Sequence, residues 1–112
     1  MADPRIKALK IKTGVVKRLT KEKVMYEREA ESQRNRIQNL KSQNKDEYDI
    51  KKQEEVLRES LKMVPDCQRR LAKAFEELKT LVDHEKDLAE EEDYATAVQI
   101  LEEAKTKFYR NA

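Results

Sequence analysis

Side chains able to do covalent or acid–base chemistry are few and isolated in this chain. His84 is the only histidine and stands between Asp83 and Glu85, a setting that suits a solvated imidazole better than a general base with a nucleophile to serve. Cys67, the only cysteine, falls on an apolar seam position, where burial favours the neutral thiol and restricts access to it. Neither residue has a second Cys or His nearby to complete a zinc set. Asp83, Glu85, Asp87, Glu90, Glu91, Glu92 and Asp93 sit with Lys86 as their only cation, and such a run attracts calcium weakly. The spaced ligands and the glycine of a helix-loop-helix calcium site are missing from it. A single glycine leaves no loop to cradle a phosphate. These features predict a protein that is not an enzyme, with no catalytic residue and neither metal nor cofactor.

The remaining chemistry is that of a binding surface. Residues 1–45 hold 13 Lys or Arg against 5 Asp or Glu, and residues 46–112 hold 12 against 18, so a net charge of +2 conceals halves of +8 and −6. In the plain reading, a basic helix pairs with acidic ones inside the molecule, and acids gather at a helix N-terminus where the dipole favours them. In the sharper reading, the excess on the first helix steers an acidic partner. Lys10, Lys17, Arg18, Lys21 and Arg28 fall away from the apolar seam of that helix, interspersed with Ile11, Val24 and Met25. Apolar residues framed by one sign of charge describe a partner-binding face. Lys10, Lys17, Arg18, Lys21, Val24, Met25 and Arg28 are therefore the candidate site. Gly14 lies among them in a helix interior, at a cost of about 1 kcal/mol relative to alanine. Close approach by another backbone accounts for it, and so does tolerance of a weak spot.

The elements that carry these residues are all helical. Charged residues make up 43% of the chain, and one glycine and two prolines leave almost no vocabulary for sheets and turns. The clearest phase is a heptad through Ile50, Leu57, Val64, Leu71 and Leu78, interleaved with Gln53, Ser60, Cys67, Ala74 and Leu81. Pro65 costs an interior helix about 3 kcal/mol, yet the phase is unchanged on either side of it. That predicts one helix bent at Pro65 with the proline on the convex side. Before it runs a seam of Leu9, Val16, Leu19, Tyr26, Ala30, Ile37 and Leu40, interrupted by Lys12, Lys23 and Gln33. Asp3 and Pro4 suit the start of this first helix. Asn44 suits a left-handed turn residue, and Asp46 suits the cap of the next helix.

Phase slips again between Asp83 and Asp93, after which Tyr94, Ala97, Leu101, Ala104 and Phe108 form a new seam. The expected fold is all-α: an elongated up-down-up three-helix bundle with left-handed, coiled-coil-like packing. It forms one domain over residues 1–112, with helices at about 4–42, 47–83 and 88–109. No apolar run approaches the ~20 residues that span a bilayer, and Met1 to Arg5 lacks the apolar stretch of a secretion signal, so a cytosolic protein with no membrane partner is expected.

Several segments carry a resemblance in their order and spacing. Ile11-Lys12-Thr13-Gly14-Val15-Val16-Lys17-Arg18-Leu19, Lys21-Glu22-Lys23-Val24-Met25-Tyr26-Glu27, Tyr48-Asp49-Ile50-Lys51-Lys52-Gln53 and Pro65-Asp66-Cys67-Gln68-Arg69-Arg70-Leu71 closely resemble the tubulin-specific chaperone A family, also called tubulin-binding cofactor A. The resemblance extends to Met1-Ala2-Asp3-Pro4-Arg5 and Glu85-Lys86-Asp87-Leu88. It implies a small cytosolic, cytoskeleton-associated three-helix protein. Such a protein binds β-tubulin released from chaperonin on the way to the αβ heterodimer, meets other tubulin-folding cofactors only indirectly, and hydrolyses nothing. The expected state is a monomer, with a homodimer as the other possibility. An alternative of another class is a self-associating coiled-coil spacer, in which Lys23, Gln33, Gln53 and Ser60 specify the oligomer. Short loops oppose that alternative by favouring packing within one chain. Nucleic-acid binding through the basic helix is opposed by the acidic remainder and by the lack of any nucleic-acid fold signature.

Overall fold

Every element of the computed structural model is helical, and it describes residues 3–108. Helix α1 spans Pro4–Ser42, α2 spans Glu47–His84, and α3 spans Glu92–Phe108, with a short 3₁₀ turn at Lys86–Leu88 before α3. Position 109, the expected end of the third helix, lies outside the described residues. Among the described residues no helix is long and apolar enough to cross a membrane.

The ends of these helices follow from local chemistry. Asp3 caps α1 by accepting the backbone N–H of Arg5 on Oδ1 at 2.9 Å, with Pro4 in the first turn where its missing N–H costs nothing. At the other end Asn44 adopts φ 53°. The N–H of Lys45 then reaches back to the carbonyl of Leu40 at 3.0 Å, and that of Asn44 to Lys41 at 3.2 Å, so two end carbonyls of α1 are satisfied by a left-handed C-cap. Two residues on, Asp46 Oδ1 accepts the N–H of Tyr48 at 3.0 Å and starts α2. That helix runs unbroken through Pro65. Pro65 is exposed, so the carbonyl it leaves without a helical donor sits on the solvent side.

The chain divides into two compact units, one of residues up to Lys21 together with those from Gln68 onward, the other Glu22–Cys67. In the first, α1 and α2 are antiparallel: as numbers rise on one they fall on the other, Arg5 meeting Glu85 and Lys12 meeting Glu77. Leu9, Val16 and Leu19 of α1 pack with Leu71, Ala74, Leu78 and Val82 of α2 and with Ala97 and Ala104 of α3. Alanines at the α3 contact let that helix approach closely, while Val15, Phe75, Leu81, Tyr94, Leu101 and Phe108 seal the edges. Each fully buried leucine contributes roughly 1.5–3 kcal/mol. Tyr94 also donates its hydroxyl to the carbonyl of Val82 at 2.9 Å, satisfying the last turns of α2.

The second unit is a pair of helices. Its buried residues are Lys23, Ala30, Gln33, Ile37 and Cys67, and Ile50, Leu57 and Val64 are only half-buried. Gln33 Nε2 donates to Gln53 Oε1 and lies 3.4 Å from the Gln53 carbonyl, which places α1 and α2 in register across this unit. Lys23 is 1% exposed and holds Glu27 at 2.8 Å one turn away.

Candidate functional site

The candidate residues divide between the two units. Lys10, Lys17, Arg18 and Lys21 lie on α1 in the first unit, and all four are exposed. Ile11 beside them is 58% exposed. In the second unit Met25, at 44% exposed, and Arg28 are open to solvent. Val24 is half-buried; it follows the sealed Lys23 by a single residue, 100° around the helix, and so lies on the flank of the seam and not on the open face.

Acids from elsewhere in the sequence answer part of the basic excess. The Arg5 guanidinium donates to Asp3 at 2.8 Å, to Glu85 at 2.7 Å and to Asp87 at 2.8 Å. These hydrogen bonds, the one to Asp3 foremost, hold Arg5 still more firmly protonated, and the one from Arg5 keeps the Asp3 carboxyl below its ordinary range. Lys12 lies 3.5 Å from Glu77, and Lys10 lies 3.8 Å from Asp93. So the acidic connector is in part the internal counterion of α1. Lys7, Lys17 and Lys21 have no ion pair among the described residues. From Pro4 to Lys21 the helix carries Arg5, Lys7, Lys10, Lys12, Lys17, Arg18 and Lys21 and no acid at all. Lys7 was not among the sequence candidates, although its three-residue spacing from Lys10 puts it on the same exposed face.

Among the described residues the side chains able to do acid–base or nucleophilic chemistry do not converge. His84 and Cys67 are far apart in role, one exposed at the end of α2 and the other buried in the second unit. Among the described residues no three His, Cys, Asp or Glu converge as metal ligands. A groove of about 340 Å³ between α2 and α3 is lined by the apolar Phe75, Val82, Val98 and Leu101 and the charged Glu76, Lys79, Asp83, Glu102 and Lys105. It contains no hydroxyl, thiol or imidazole to act as a nucleophile and its base. What the surface can do is recognise another molecule by charge and apolar contact.

Comparison with known proteins gives the same direction. The chain matches the family model described as tubulin binding cofactor A over residues 4–101. It is 53% identical over 105 residues to tubulin-specific chaperone A of Homo sapiens, covering 94% of this chain and 97% of the relative. It is 56% identical over 105 residues to the protein of the same name from Gallus gallus, with the same coverage of both chains. Among solved structures, human tubulin chaperone cofactor A superposes with a TM-score of 0.81 at 50% identity, covering 91% of this chain and 99% of that one. Tubulin folding cofactor A from Arabidopsis thaliana superposes with a TM-score of 0.84 at 35% identity, covering 92% and 97%.

Proposed function

The chain belongs to the tubulin binding cofactor A family, and we propose that it acts as a tubulin-folding cofactor: it binds β-tubulin released from chaperonin and holds it on the way to the αβ heterodimer. It does so in the cytosol, by surface contact and without hydrolysis, and meets other tubulin-folding cofactors only through the shared subunit. The observation that carries this reading is the exposed stretch of α1, where seven cations and no acid between Pro4 and Lys21 face outward or reach for distant acids. A single-sign surface of this kind raises the encounter rate with an acidic partner and discriminates against basic ones. The proposed contact residues are Lys10, Lys17, Arg18 and Lys21 in the first unit, and Met25 and Arg28 with the edge of Val24 in the second.

Replacing Lys17, Lys21 and Arg28 together by glutamate is expected to weaken β-tubulin capture by roughly tenfold, with the far-ultraviolet circular dichroism of the helices unchanged. Unaltered capture removes this face from the reading. Co-purification from cytosol distinguishes β-tubulin alone from the intact αβ dimer; equal recovery of both defeats the folding-cofactor role itself. The spacer alternative draws on the exposed Tyr48, Val56 and Met63 of α2. A concentration-independent monomer mass in light scattering removes it.

A further inference from the structure

Five residues of α1 recur at alternating three- and four-residue intervals: Lys7, Lys10, Gly14, Lys17 and Lys21. That is the spacing of one helix face, and all five are exposed. Gly14 is at the centre, with two lysines toward each end. Nothing inside the molecule calls for a glycine there. No glycine of the chain has a positive φ, and a Cβ built on Gly14 meets nothing within 4 Å. The lysine of the first turn, Lys7, is not called for by local chemistry either, since a cation there opposes the helix dipole. Both features disfavour the isolated helix, and both become useful if a chain from outside lies along this face. Long lysine side chains then form the walls of a trough, and at Gly14 the floor drops to bare backbone.

We propose that the α1 stripe Lys7, Lys10, Gly14, Lys17 and Lys21 docks an extended acidic segment of a partner polypeptide, with Gly14 as the notch where that segment's main chain meets the helix backbone. This deepens the β-tubulin reading and rests on it only for the identity of the partner. The stripe is ~21 Å long at the helical rise, which about six residues of extended chain cover. Charge selects the occupant, because the face itself presents four lysines, of which only Lys10 has an acid near it, Asp93 at 3.8 Å. A nucleic acid is the poorer fit. There is no aromatic residue from Pro4 to Lys21 on which a base can stack.

The test uses the full chain, a fluorescent eight-residue glutamate-rich peptide, and β-tubulin. Gly14→Ala and Gly14→Leu are compared with wild type and with the Lys17→Glu, Lys21→Glu pair. Both glycine substitutions favour the helix, so the variants fold, and Gly14→Ala is expected to raise Tm by roughly 4 °C. The signature of a notch is opposition: Gly14→Leu gains helix stability and loses peptide affinity by roughly tenfold, as does the lysine pair. Peptide affinity that is unchanged in Gly14→Leu, or wild-type protein that does not bind the peptide in low salt, overturns the proposal. Duplex DNA or anionic vesicles bound with the same Gly14 dependence overturn the choice of a polypeptide. Peptide binding lost in Gly14→Leu while β-tubulin capture persists sustains the docking face and separates it from the tubulin reading. Capture lost together with peptide binding sustains both.

Discussion

The unit that holds α3 buries hydrocarbon, with Leu9, Val16, Leu19, Leu71 and Leu78 meeting small alanines of a third helix. The unit of Glu22–Cys67 has two helices and buries an ammonium group at Lys23 and an amide at Gln33 alongside Ala30 and Ile37. The difference follows from the number of partners each helix has. A helix flanked by two others hides a wide stripe, and a helix in a pair hides a narrow one. At the rim of a narrow seam, long polar side chains lay their stems over the contact and keep their heads near water or a partner. Stability therefore resides mainly in the first unit, and register is specified in the second by the Gln33–Gln53 pairing.

The same substitution made in each unit is the strongest way to break this comparison. Leu71 and Leu57 occupy the same heptad position two turns of the repeat apart, yet Leu71 is 0% exposed and Leu57 is only half-buried. Leu71→Ala leaves a cavity in a core sealed by three helices and is expected to cost about 3 kcal/mol, whereas Leu57→Ala is expected to cost about 1 kcal/mol. Urea denaturation followed by circular dichroism measures both. Equal losses contradict the division of labour. Hydrogen exchange provides the second reading, since amides of Glu22–Cys67 should exchange sooner than those of α2 beyond Gln68.

Much of this was legible in the sequence because helical phase is a local property. The heptad from Ile50 to Leu78 marks one helix across Pro65, and α2 is continuous there. Tyr94, Ala97, Leu101, Ala104 and Phe108 do form the inner side of α3. Depth of burial was less legible, because it depends on which helices come alongside. Val82 lies one turn beyond Leu78, outside the heptad, and is sealed with the α3 cluster. Thr13 and Thr20 read as polar yet are buried, since their hydroxyls return to the carbonyls of Leu9 and Val16 at 2.6 and 2.7 Å and leave only methyl groups to pack. At the candidate site, charge sign and spacing on α1 were visible from composition. The clamp of Arg5 on Glu85 and Asp87 was not, because those partners are 80 and 82 residues away.

Lys23 sharpens the contrast by a smaller amount. It interrupts the apolar seam of α1 in sequence, and in the fold it is 1% exposed with its Nζ 2.8 Å from Glu27, which retains 28% of its side-chain exposure. Methionine has a similar length but gives up the ammonium and leaves Glu27 without its partner, and Glu27 keeps some access to water. Lys23→Met is therefore expected to destabilise the chain by about 1 kcal/mol, less than the loss for a fully buried pair, read as a lower urea midpoint at an unchanged slope. A midpoint that rises instead shows that desolvating the ammonium outweighs its polar contacts, and that the narrow seam prefers hydrocarbon after all.

The smallest effect belongs to the first turn of α1 and tests whether the charge clamp contributes to the first unit at all. The side-chain hydrogen bond with Arg5, and then the backbone N–H of the same residue, hold the Asp3 carboxyl below its ordinary value of 3.8. A carboxyl with a depressed folded-state value contributes stability that is fully present above the unfolded value, and that contribution is lost as pH falls through the folded one. The loss thus begins below about pH 4 and grows toward stronger acid. Asp3→Asn keeps an oxygen to cap the N–H of Arg5 and removes only the charge, so its Tm should lie slightly below wild type at pH 7 and converge with it as Asp3 protonates. Both groups touch solvent, so the gap is small and shrinks further in 0.5 M salt. Parallel Tm curves from pH 7 down to pH 2 refute the linkage, and leave the three carboxylates around Arg5 as geometry without consequence for folding.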